Sequence, residues 1–155
     1  GCRMANYRRI LVPIDGSILA DLAYQKAKRY AKQTNAHLIV LSVVDTSGIA
    51  MHDYGGGFEI DPLMNTAKEF LEDYAEDAAK DNINCKTILE VGSAKNAILE
   101  TAKDQNADLI MMGASGTNSF TRLFIGSTTD FIVQNSKIFV FVVKTHKDNT
   151  TRPPH

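Results

Sequence analysis

The chain has 155 residues, 44% hydrophobic and 23% charged, which suits one compact domain with a buried core and excludes disorder throughout. Its 17 basic and 18 acidic side chains leave a net charge of −1, which argues against a protein that works on nucleic acid or a membrane surface, where clustered Lys and Arg drive binding. No apolar stretch approaches the ~20 residues that span a bilayer, and Gly1 to Arg9 lacks the apolar core of a secretion signal.

The first six residues read as a flexible terminus. Ile10 to Ile14 is a short continuous apolar run, the pattern of a buried strand. Ala20, Ala23, Ala27, Tyr30 and Ala31 then recur at helical spacing. Leu38 to Val44 is a second strand. Residues 45 to 61, with Gly48 and the triplet Gly55-Gly56-Gly57, read as a mobile loop, either a lid that could close over a ligand or a disordered surface insert. Asp61-Pro62 marks a helix start, and Leu63, Ala67, Phe70, Leu71, Tyr74 and Ala78 form its apolar face.

A third strand is expected over about Lys86 to Val91, followed by a helix opened by Gly92-Ser93, with Ala94, Ala97, Ile98 and Ala102 facing inward. Leu109 to Met112 is a fourth strand. After the glycine- and serine-rich stretch from Gly113 to Gly126 comes a short helix from Ser127 to about Asn135. Ile138 to Val143 is the last strand, and residues 145–155 form a polar tail. Cys2 and Cys85 make no CxxC pair, and His37, His52, His146 and His155 have no metal-ligand spacing. A cytoplasmic location follows as the expectation.

Continuous apolar strands alternating with amphipathic helices predict an α/β fold: one doubly wound, open sheet of five parallel strands with helices on both faces. With the first strand central, the order is 3-2-1-4-5. Ligands in such sheets bind beyond the carboxyl ends of the strands, where the connection order reverses. That places the crevice between strands one and four, at the loops Asp15-Gly16-Ser17 and Gly113 to Thr128. Glycines there would let main chain approach a ligand at positive φ. The helix starting at Ser127 would add unpaired amides and its dipole, giving an anion site. Ser127 with Asp130 also has the spacing of a capping box, which needs no ligand.

The pattern Gly113-x-x-Gly116, nine residues, Gly126-Ser127 resembles the signature of the nucleotide-binding branch of the universal stress protein family. So do Ile10-Leu11-Val12-Pro13-Ile14-Asp15-Gly16-Ser17, Val91-Gly92 through Ile98, and Ala107 through Gly113, so the likeness spans residues 7–144. It implies that Gly113, Gly116, Gly126 and Ser127 contact phosphates and ribose, with Thr128 following them. It places Asp15 against the nucleoside, and Pro13, Ile14, Val43 and Met112 around adenine. It further implies ATP or AMP as ligand with Mg²⁺ on the phosphates, a regulatory stress-response module with little or no turnover, and a homodimer through Ile138 to Val143. Phe139, where many members have proline, and Ser115, often histidine or arginine, depart from the pattern.

Other readings stay open. Asp15 could serve as a catalytic base, and Asp45 stands where dinucleotide enzymes hold a ribose, although its simpler role is to form a turn. No GxGxxG follows strand one and no Walker motif occurs. Arg122 could reach a phosphate or simply be a solvated loop charge; His52 and Tyr54 read as surface groups. An adenylate- or ATP-using enzyme on the same fold, or a nucleotide-free dimeric scaffold, are the alternative functions.

Overall fold

The computed structural model describes residues 6–47, 61–116 and 125–145. The expectations for the extreme N-terminus, for the loop with His52 and Tyr54, for Arg122 and for the tail fall outside these residues.

Five strands, β1 (Arg9–Ile14), β2 (His37–Asp45), β3 (Cys85–Gly92), β4 (Leu109–Gly113) and β5 (Phe139–Val143), pair in the order β3-β2-β1-β4-β5, every pairing parallel. The expected order is therefore observed. It follows from the apolar runs: Ile10, Leu11 and Val12 are fully buried because β1 is covered on both faces and flanked on both edges. The register sets Ile10 beside Leu38 on one side and beside Leu109 on the other.

Helices α1 (Ile18–Thr34) and α2 (Asp61–Lys80) cover one face, and α3 (Ala94–Asp104) and α4 (Ser127–Asn135) the other. The side-chain alternation of each strand divides the core accordingly. Ile10, Val12 and Ile14 pack with Ala23, Tyr24, Ala27 and Leu71. Leu11, Ile39 and Leu41 pack with Ile98, Ala102 and Ile132 on the opposite side.

The helix ends show why these segments stop where they do. Ser17 caps α1, its Oγ accepting from the Ala20 N–H at 3.2 Å. Asn35 closes α1 in the left-handed region at φ 61°, and its N–H donates to the Ala31 carbonyl. Asn82 and Asn106, with φ 57° and 53°, stand just beyond the ends of α2 and α3.

The helix expected at Asp61-Pro62 starts there, with Asp61 an acidic group on the positive end of its dipole. Two local expectations need correction. Leu63 is 49% exposed, and burial along α2 begins at Ala67, about one turn later. Ser127 does not cap α4: Gly126 is the N-cap, among the described residues no side chain caps that end, and the Asp130 N–H donates to the Gly126 carbonyl. Among the described residues no helix is long and apolar enough to cross a membrane.

Candidate functional site

Beyond the carboxyl ends of β1, β2 and β4 the main chain parts into a cleft of about 400 Å³. Its position follows from the connections: α1 and α2 leave β1 and β2 toward one face, α3 and α4 lie on the other, and the strand ends between them stay uncovered. All ten residues singled out from the sequence line it: Pro13, Ile14 and Asp15 from β1 and its turn; Val43 from β2; Met112, Gly113 and Gly116 from β4 and its loop; and Gly126, Ser127 and Thr128 at the start of α4.

One wall is apolar. Pro13, Leu41, Val43, Met112 and Ile98 line it, all on the α3–α4 side of the sheet. Leu41 and Ile98 are absent from the sequence-derived set. Leu41 was within reach, because it points the same way as Val43 two residues on. Ile98 belongs to the packed stripe of α3, and its part in the cleft depends on which face α3 covers. Asp45 and Ala94 at one rim, and Ser115 and Thr129 at the other, complete the polar parts.

The glycines act otherwise than expected. None of Gly113, Gly116 and Gly126 has a positive φ; among the described residues the positive-φ glycines are Gly16 and Gly92. Their constraint is close approach. A Cβ on Gly113 would lie 2.8 Å from the Cβ of Leu19, so β4 ends directly against the first turn of α1. A Cβ on Gly126 would lie 3.2 Å from Ser115 Cα. On Gly116 it would fall 2.5 Å from Asp15 Oδ2, so the bare glycine lets the loop lie against that carboxylate. Gly16 does need its glycine conformation: its φ is 85°, and a Cβ would meet the Phe70 ring of α2 at 2.9 Å.

Hydrogen bonds fix the cleft's borders. The Ser17 N–H donates to Asp15 Oδ1 at 3.0 Å, which holds the β1–α1 turn. The Gly126 N–H donates to the Ala114 carbonyl at 2.8 Å, and Thr129 Oγ1 donates to the Gly113 carbonyl at 2.8 Å. Together they lock α4's first turn against the end of β4. Asp45 accepts from the Ser47 N–H and hydroxyl and, across the chain, from the Ala94 N–H at 3.1 Å. Asp45 is thus a turn former, as its simpler reading had it, and also closes the start of α3. Partial burial pulls its pKa up, but the bonds from Ser47 and Ala94 and the nearby Lys95 charge outweigh that and hold it below the ordinary value.

Three helices therefore begin at the cleft with unequal ends. The first turn of α1 is capped by Ser17, and that of α3 by Asp45. Among the described residues, no side chain bonds the leading amides of α4. The helix dipole and the leading amides there suit an anion, while the opposite wall suits a flat apolar group. Among the described residues no group of three His, Cys, Asp or Glu side chains could hold a metal unaided.

Comparison with known proteins agrees in one direction. The model of the universal stress protein family matches residues 6–144. A Staphylococcus saprophyticus protein with a provisional universal stress protein designation is 36% identical over 146 residues, covering 93% of this chain and 87% of that protein. The structure of the universal stress protein UspA from Lactobacillus plantarum superposes with a TM-score of 0.79 at 34% identity, covering 90% of this chain and 99% of that one. A universal stress protein from Archaeoglobus fulgidus, solved in complex with dAMP, shares the fold at a TM-score of 0.67 and 20% identity, covering 90% of this chain and 100% of that one.

Proposed function

The chain belongs to the universal stress protein family, and from that premise we propose that it is of the nucleotide-binding branch, a regulatory module that binds ATP or AMP and turns it over slowly or not at all. The observation that carries the reading is the unequal capping of the three helix starts. Among the described residues, a side chain takes one leading amide at the starts of α1 and α3 but none at that of α4, entered through Gly126, Ser127 and Thr128. The dAMP complex of the Archaeoglobus relative, at the level of a shared fold, is consistent with it.

The nucleotide lies across the carboxyl ends of the central strands. Its phosphates meet main-chain donors at Gly113, Gly116, Gly126 and Ser127, with Thr128 behind them. Asp15 lies against the nucleoside, and Pro13, Ile14, Val43 and Met112 enclose the adenine. Among the described residues no group of three His, Cys, Asp or Glu side chains could hold a metal, so Mg²⁺ would be held mainly by the phosphates and water. When bound it would neutralise phosphate charge.

Mass spectrometry of small molecules released from freshly purified, denatured protein tests the proposal. It predicts about one adenine nucleotide per chain, or its uptake on adding ATP. An empty protein that also shows no heat of binding with millimolar ATP would refute it. Steady hydrolysis near ~10 s⁻¹, the rate of ordinary enzymes, would favour the catalytic alternative instead.

The same reading includes a homodimer through Ile138 to Val143. Phe139 and Phe141 are 71% and 49% exposed on the α1 side of β5, a costly arrangement for an edge strand left bare. Tyr7 covers part of Phe139, edge to face at 6.1 Å. Sedimentation should give a dimer for the natural chain and a monomer for Phe141→Lys; two monomers would end this part of the proposal.

A further inference from the structure

Two ends of the cleft could receive the phosphates. One is the start of α4; the other is the start of α3, reached through Ala94 and Asp45. The N-cap of α3, Ser93, makes no side-chain capping bond. Asp45 takes that place from 49 residues away, accepting from the Ala94 N–H. The two starts would otherwise present similar amides and similar dipole ends.

We infer that Asp45 fixes which way round a nucleotide lies in the cleft: its carboxylate closes the start of α3 and keeps a negative charge there, so phosphates are turned toward α4. The inference rests on the nucleotide reading above and deepens it. Asp45 is ionised at neutral pH, since its pKa is held below the ordinary carboxylate value despite partial burial. A phosphate at that end would meet a like charge, which costs more in a partly enclosed cleft than in open water. Lys95 is the neighbouring cation, and its ammonium is engaged over the Phe131 ring at 5.4 Å. Asp45 is therefore a positioning residue, acting through charge and through the α3 amide it occupies.

The test uses inorganic pyrophosphate as probe, followed by ³¹P NMR titration of the full chain, its Asp45→Asn variant and its Asp45→Ser variant. Both replacements remove the charge; asparagine keeps an oxygen that can accept from Ala94, while serine, one bond shorter, frees that amide, so either carries the test if the other fails to fold. The inference expects one pyrophosphate per chain in the natural protein and two in the variants. The added site should be tighter by about tenfold or more than any second binding to the natural chain. A purely structural role for Asp45 would change melting temperature but not the number of sites. Equal numbers in natural chain and variants would overturn the inference, as would two sites in the natural chain. No site in the natural chain would overturn the nucleotide reading and this inference with it, whereas one site in the natural chain and one in the variants would overturn the inference alone, so the two failures are distinguishable.

Discussion

On the α1–α2 face, polar side chains join helix to helix, whereas on the α3–α4 face they fix helix to main chain. Tyr24 of α1 donates to Asp77 of α2 at 2.8 Å, and Tyr74 of α2 donates back to Asp21 of α1 at 2.8 Å. Each tyrosine stands three residues from the acid that receives its partner's proton, so the exchange repeats on one helical face. Lys28 adds contacts to Asp77 at 2.9 Å and to Asp81 at 2.7 Å. On the other face, Thr129 bonds the Gly113 carbonyl and Asp45 the Ala94 N–H. One face carries the lock; the other sets helix starts and, among the described residues, leaves that of α4 without a side-chain cap. The joint between them is Gly16, where the site turn lies directly under Phe70 of α2.

If that division is right, damage to the lock should cost stability and spare binding. The largest effect should come from Tyr24→Ala. Tyr24 is fully buried, with its ring 4.4 Å from that of Tyr74, and burial together with the Asp77 bond raises its pKa so far that it remains a donor. Urea denaturation should show a loss of about 3–5 kcal/mol, while the folded variant keeps its ATP affinity within about threefold, below ~0.7 kcal/mol. A collapse of affinity in protein that is still folded would mean the two faces are not independent.

A smaller effect sharpens the same contrast. Partial burial raises the Asp77 pKa, but bonds from Lys28 and Tyr24 more than offset it and leave it lowered; the Lys28 bond chiefly lowers that of Asp81. Their contribution is complete above the unfolded carboxylate value of ~3.9 and is lost as pH falls through the depressed folded values. The Lys28 pKa is raised, chiefly by its bond to Asp81, so its share is complete below ~10.4 and is lost as pH rises through the folded value. Lys28→Met keeps the apolar stem and removes the charge. Its deficit against the natural chain should be greatest between those limits and shrink below about pH 4. The Lys28–Asp77 pair should account for no more than ~1 kcal/mol, because Asp77 is 40% exposed. Melting curves across pH would check this, and a deficit that grows in acid would be the wrong sign.

The sequence made the architecture legible because the strands are continuous apolar runs and the rules for parallel sheets leave few orders open. It also made the cleft legible, since Asp15, Val43, Met112 and the glycine loop all end strands at one edge of the sheet. The helix-to-helix lock was not legible: Tyr24 and Asp77 stand 53 residues apart, and no spacing in the sequence announces their contact. The same is true of Asp45, whose partner Ala94 is 49 residues away. The glycines were found for a reason that proved different. Gly113 and Gly126 lack side chains because β4 and α4 approach α1 and Ser115 closely, a packing constraint that looks the same in sequence as a need for positive φ.

The most direct measurement compares Ser127→Pro with Ser127→Ala by calorimetry with ATP. Ser127 is the first residue of α4 and Gly126 before it has ψ 153°, so proline is compatible with both the helix and the residue preceding it. Proline deletes one amide N–H that no intrahelical bond uses, and alanine deletes only the hydroxyl. Binding by open amides predicts that Ser127→Pro binds ATP about ten- to hundredfold more weakly than Ser127→Ala, with both melting as the natural chain does. Equal affinities in the two variants would contradict it.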